Sequence, residues 1–237
     1  MPDPIDHLLF AVLALLLAPR AWLTFRRLRG AAPEARARLR PRMYLFAMIT
    51  QWSLSAILIV HWVWLGRMWV GLGLVPRITF GALGVLLGLA VMIVILVVQS
   101  RRPENRETAF ERARARLEHV EALLPHTPGE LKLFSGLAIT AGICEELLFR
   151  GFMIWYLQHW MGLIQAALLS SLLFGIGHAY QGVRGIVQTG LAGAFMAAVY
   201  LLSGSIYLCM LIHALMDLYA GSVGHSMVRQ AATTEAA

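Results

Sequence analysis

The sequence predicts an all-α, polytopic transmembrane helix bundle of about seven spans, with a cytoplasmic amphipathic helix. Three observations carry this reading. Of the 237 residues, 59% are hydrophobic and only 14% are charged, a balance that a soluble domain of this length rarely has. Several apolar runs approach the roughly 20 residues needed to cross a bilayer core as a helix. The dyad alternation of a membrane β-barrel is missing.

The spans fall at about 6–25, 42–64, 78–99, 133–156, 162–179, 185–202 and 205–222. The first follows the acidic leader MPDPIDH, where a signal peptide would be basic, and so reads as a retained helix. Between the third and fourth spans lies a polar segment, 101–130. Within it Phe110, Ala113, Leu117, Val120 and Leu124 recur at helical spacing. That pattern gives an amphipathic helix at the membrane surface or on the bundle, ended by Pro125 and Pro128. The turn Ser203-Gly204-Ser205 divides the last two spans. The chain thus divides into N-terminal spans with an Arg-rich cytoplasmic loop (1–100), the amphipathic segment (101–130), a transmembrane core (131–222) and a disordered tail (223–237).

A formal charge of +7 raises the question of nucleic acid. Its distribution answers no. Seven arginines lie between Arg26 and Arg42 and six between Arg101 and Arg116, beside apolar spans. Cytoplasmic flanks of spans collect such charge. Both segments therefore face the cytoplasm, which puts the N-terminus outside and the C-terminus inside. Trp62, Trp64 and Trp69 then mark one outer interface, and Trp155, Tyr156 and Trp160 another. Cys144 and Cys209 both lie in apolar spans and imply no disulfide framework.

The core carries charges in the wrong solvent. From Leu133 to Gly221 the acidic residues are Glu145, Glu146 and Asp217. With Arg150, His178 and His213 they form a set that span ends do not explain. An ionisable group in hydrocarbon costs at least about 2.5–3.5 kcal/mol, so such groups face a bundle interior or a wet cavity. Glu146 and Arg150, four apart, share a helix face and can pair. Glu145 points about 100° away with no local partner, which suits proton transfer. Phe174 and His178 are four apart on one span, and His213 and Asp217 on the last. Gly175, Gly177, Gly190 and Gly193 permit close helix approach. Two histidines and two carboxylates could bind a metal, activate a water or relay protons. The H-E-x-x-H zinc signature and a G-x-S-x-G serine context are both absent.

The strings EELLFR, FGIGH and HALMD occur in that order on late spans. They resemble the E-E-x-x-x-R, F-x-x-x-H and H-x-x-x-(N/D) motifs of the CPBP family, which groups type II CAAX prenyl endopeptidases with Abi bacteriocin-processing and immunity proteins. The resemblance covers about Leu133 to Gly221. It implies an intramembrane glutamate-dependent endopeptidase acting on membrane-anchored or lipidated peptides or protein C-termini. Carried over, Glu145 is the water-activating acid and His178 its partner. His213 and Asp217 stabilise the oxyanion, with Glu146, Arg150 and Phe174 in support. Asp217 stands where the family often has Asn, and an ionised Asp cannot donate to an oxyanion. The mechanism requires no cofactor and assigns no metal ligand, although the donor set is compatible with a divalent ion such as zinc. The expected setting is the lipid bilayer of a bacterial inner membrane. The alternative is a non-proteolytic immunity or scaffold protein that binds a peptide or partner on the same fold. A proton-coupled transporter fits less well, since no internal repeat is visible.

Overall fold

The computed structural model describes residues 1–76, 79–88 and 118–235. Helices account for the regular structure among them, and no strand is present there. Helix α1 spans Pro4–Gly30, and α2 spans Pro33–Trp64. Helix α3 is described over 80–88. Helix α4 is α-helical over Pro128–Glu146, π-helical over Leu147–Met153 and α-helical again over Ile154–Leu157. Helices α5 (Leu163–Gly177), α6 (Gly182–Ser203) and α7 (Tyr207–Glu235) follow.

Among the described residues, four helical runs are long and apolar enough to cross a membrane: Pro4–Gly30, Pro33–Trp64, Ala179–Ser203 and Tyr207–Gln230. Leu163–Gly177 is a shorter apolar helix. The exposed surface is rich in large apolar side chains, such as Leu15, Ile49, Val60, Leu168 and Leu191. That is the face a bilayer solvates.

Several boundaries differ from the sequence reading. The Arg-rich stretch expected as a loop between Arg26 and Arg42 is helical except around Ala31 and Ala32. Its Ala, Arg, Leu and Glu content favours helix, and Pro33 occupies the first turn of α2, where its missing N–H costs nothing. Arg40, assigned to that loop, is instead buried and clamps both carboxylate oxygens of Glu130 at 2.9 Å. It also donates to the Ala122 carbonyl. Pro128 does not end a helix but opens α4, capped by a reciprocal Thr127–Glu130 box. Val120 lies in a 3₁₀ turn, Glu118–Leu123, and Phe110, Ala113 and Leu117 lie outside the described residues. So does most of the third expected span. The tail expected to be disordered from 223 continues α7 to Glu235: its polar side chains do not break a helix already propagating from an apolar span.

Trp62 is buried within the bundle and meets Trp155 edge-to-face at 4.7 Å. The two aromatic groups therefore converge at one end of the bundle. A polar clasp closes that end. Asp3 caps α1, and fully buried Asp6 receives both Arg67 guanidinium nitrogens at 2.8 and 2.5 Å. His61 lies 3.0 Å from Asp3.

Helix α7 packs along α4, α5 against α6, and α2 against α4. Gly142 makes the first of these contacts possible: a Cβ there would stand 2.8 Å from the backbone nitrogen of Ala214. Gly175 does the same for α5 and α6, where a Cβ would meet the Ile186 carbonyl at 2.6 Å. Gly177, by contrast, faces open space and takes no part in the crossing.

Candidate active site in the bundle interior

The close α4–α7 contact sets the acidic doublet of α4 against the histidine of α7. Glu146 is fully buried, and its Oε1 accepts from Arg150 Nη1 at 2.9 Å and from His213 Nδ1 at 2.6 Å. Arg150 spends a second nitrogen, Nη2, on the Gly193 carbonyl of α6 at 3.1 Å. Its guanidinium carbon lies 4.4 Å from the centre of the Phe174 ring, a desolvated cation–π contact. One carboxylate thus ties α4, α6 and α7 together through a single buried cation and an imidazole. The π-helical segment begins at Leu147, immediately after the doublet. Such segments widen a helix locally and recur at functional sites.

Glu145 faces the other way. Its Oε1 accepts from the Gln51 side-chain amide on α2 at 2.7 Å. Its Oε2 is buried without a hydrogen-bond partner among the described residues, and lies 3.9 Å from His213 Nε2. Asp217 Oδ2 lies 3.7 Å from the same nitrogen, beyond hydrogen-bond length. His213 is therefore fixed on one side by Glu146 and offers Nε2 to a space bounded by two further carboxylates.

On α5, His178 sits where the helix ends. Its Nδ1 lies 2.9 Å from the Phe174 carbonyl. A carbonyl can only accept, so Nδ1 carries the proton and Nε2 is the free nitrogen. Phe174 stands perpendicular to the His213 ring at 6.0 Å, spacing the two histidines apart. His178 and Glu145 are not within ion-pair distance of each other, but both face one cavity. That cavity has a volume of about 820 Å³ and is lined by Glu145, Glu146, Phe174, His178, His213 and Asp217. Arg150 lies behind Glu146, away from the cavity. Residues of α1 and α2, among them Leu17, Phe25 and Phe46, form much of the apolar wall.

The seven residues singled out from sequence therefore occupy one locus on α4, α5 and α7. Two features are not evident from the sequence. Gln51 is one; the only signal was an amide inside a long apolar run. The other is the double duty of Glu146, which sequence spacing paired with Arg150 alone. Cys144 is buried and is not among the residues facing the cavity.

Two clusters among the described residues carry donors of metal-ligand type. Asp3, Asp6 and His61 bring their ligand atoms within 4.8 Å of one another, but Asp6 already carries the Arg67 guanidinium and His61 pairs with Asp3. In the cavity, Glu145 Oε2 and Asp217 Oδ2 lie 3.9 and 3.7 Å from His213 Nε2; the donor types suit zinc, but the three are not gathered as closely as the Asp3, Asp6 and His61 atoms.

Comparison with known proteins bears on this locus. Residues 127–219 match a family model described as type II CAAX prenyl endopeptidase Rce1-like. Searches among curated proteins and solved structures find no significant match. The matched stretch begins at the cap of α4, ends two residues past Asp217 and contains all seven residues. Over this segment the chain is similar to the type II CAAX prenyl endopeptidases.

Proposed function

We propose that the protein is a glutamate-dependent intramembrane endopeptidase that hydrolyses a peptide bond of a membrane-anchored or lipidated substrate near its C-terminus. The observation that carries the reading is the division of labour in the doublet. Glu146 is committed through Oε1 to the buried Arg150 guanidinium and to His213, whereas Glu145 pairs with no cation and accepts only from the neutral Gln51 amide. Each keeps its Oε2 without a hydrogen-bond partner among the described residues, and that of Glu145 lies 3.9 Å from His213 Nε2.

In the mechanism that follows, a water held between Glu145 Oε2 and His178 Nε2 loses its proton to Glu145. The hydroxide attacks the scissile carbonyl carbon. His213, with Nδ1–H donated to Glu146, presents Nε2–H as an imidazolium toward the forming oxyanion. Glu146 Oε1, 2.6 Å from Nδ1, fixes the ring in that orientation. A protonated Asp217 adds a second donor. Collapse of the tetrahedral intermediate breaks the C–N bond, and Glu145 returns its proton to the leaving amine. The apolar walls limit water entry, which strengthens each electrostatic contact. The bound substrate lies against the α1–α2 wall, and the cavity opens toward the cytoplasm.

The test is product identity. Purified protein in detergent is incubated with a farnesylated peptide ending in a CAAX sequence and with its unprenylated counterpart, and products are read by mass spectrometry. Release of a C-terminal fragment with a new free amine supports the reading. Binding without any fragment would favour the immunity or scaffold function instead.

A further inference from the structure

We infer that Gln51 is a positioning residue for Glu145, a side chain supplied by the N-terminal helices that keeps the carboxylate apart from His213 in both of its protonation states. This rests on the role proposed for Glu145.

Gln51 lies within α2, outside the stretch that matches the family. Its position is fixed by docking of α2 on α4. The neighbouring Trp52 donates from Nε1 to Thr140 Oγ1 at 3.2 Å. One turn further along α2, Ser55 is buried in the same interface. From that frame Gln51 Nε2 reaches Glu145 Oε1 at 2.7 Å. The rest of both groups is uncommitted: Gln51 Oε1 and Glu145 Oε2 are buried without hydrogen-bond partners among the described residues.

The chemistry explains why an amide serves here. An ionised carboxylate only accepts, so the amide N–H must face it. Once Glu145 has taken a proton from water it has an O–H to give. That O–H is on Oε2, while Oε1 remains an acceptor, so the Gln51 N–H keeps its bond in both states. Lys or Arg at this place would favour only the ionised form. Asp or Glu would repel it. An apolar residue would leave Glu145 free to turn toward His213 Nε2, now 3.9 Å away. That collapse would form a direct ion pair and occupy both the base and the oxyanion donor.

The experiment compares wild type with Gln51→Met, which keeps the length of the side chain and removes its hydrogen bonding. With the farnesylated CAAX peptide in detergent micelles, kcat should fall about 10–100-fold with KM within about twofold, as expected when a reacting group is misplaced. Wild-type kcat in Gln51→Met would overturn the assignment. A substrate-free measurement separates this from the proposed function. In detergent, Gln51→Met should lower Tm by about 3–10 °C in the wild-type background, the loss of a hydrogen bond to a charged group. In a Glu145→Ala background it should lower Tm by little or nothing, since no carboxylate remains to hold. An equal drop in both backgrounds, or failure of Gln51→Met to accumulate in either, makes Gln51 a folding residue and overturns the assignment. If Gln51 and Glu145 couple in Tm but wild type cleaves no peptide, the endopeptidase reading fails and the pairing stands.

Discussion

Replacement of Glu146 by Gln changes one oxygen for an NH₂ and almost nothing in volume. The consequence should nonetheless be large. In the wild type a single buried oxygen takes hydrogen bonds from Arg150 at 2.9 Å and His213 at 2.6 Å, and Arg150 is 1% exposed. A neutral amide leaves the guanidinium without a counter-charge in the bundle interior. Its carbonyl can still accept, but its NH₂ offers only donors to a site that supplies donors. Breaking a buried pair in this way costs about 3–5 kcal/mol, or roughly 6–20 °C in Tm for a chain of this size. Glu145→Gln is the internal control. Glu145 has one hydrogen bond, to Gln51, and no buried cation depends on it, so its Tm should fall by about 3 °C or less. The assay is thermal unfolding in detergent followed by intrinsic fluorescence of the seven tryptophans, at one scan rate because membrane-protein unfolding is commonly irreversible. Equal Tm values for Glu146→Gln and wild type would refute the division of the doublet into a structural and a chemical acid.

Three further outcomes follow from the same geometry. Asp217→Asn should keep or raise activity, because Glu146 already holds His213 and Asp217 stands 3.7 Å off; Asp217→Ala should lose about 10²–10³ in rate, and an Asn variant as impaired as Ala would make Asp217 an anion for His213. Single cysteines at Ala35 and exposed Met68, in a background lacking Cys144 and Cys209, should show opposite accessibility to an impermeant reagent in intact cells, with Met68→Cys labelled from outside; labelling of Ala35→Cys instead would invert the orientation. At the N-terminal clasp, burial alone would raise the Asp3 carboxyl, but the Asp6 backbone N–H and His61 outweigh it and hold the group below its usual range. That contribution is present above the unfolded value near 4 and is lost as pH falls through the lower folded one, so the Tm gap between wild type and Asp3→Asn should close between roughly pH 5 and 2; a constant gap would show that Asp3 acts by capping alone.

Much of this architecture was legible because bilayer physics leaves few options. Long apolar runs must be helices, and charges inside them must meet something. That logic located Glu145, Glu146, Arg150, His178, His213 and Asp217, and the i, i+4 spacing gave the Glu146–Arg150 pair directly. Periodicity along one helix says nothing about which other helix faces it. The Glu146–His213 bond depends on the α4–α7 crossing at Gly142, and the Gln51–Glu145 bond joins residues 94 apart in sequence. The same limit hid the Asp6–Arg67 clasp. Helix ends were misjudged where propensity and hydropathy diverge. Residues 33–42 are polar enough to leave the membrane and still favour helix, so α2 extends well beyond its apolar stretch.

The claim that Glu145 carries the chemistry is tested most directly by the cleavage rate of Glu145→Gln against wild type and Cys144→Ala. All three are purified in the same detergent, matched for Tm, and given the farnesylated CAAX peptide. The account expects Glu145→Gln to lose about 10³ or more in kcat, within the range for removal of a general base, while Cys144→Ala keeps wild-type turnover. A folded Glu145→Gln protein that cleaves within tenfold of wild type would contradict it.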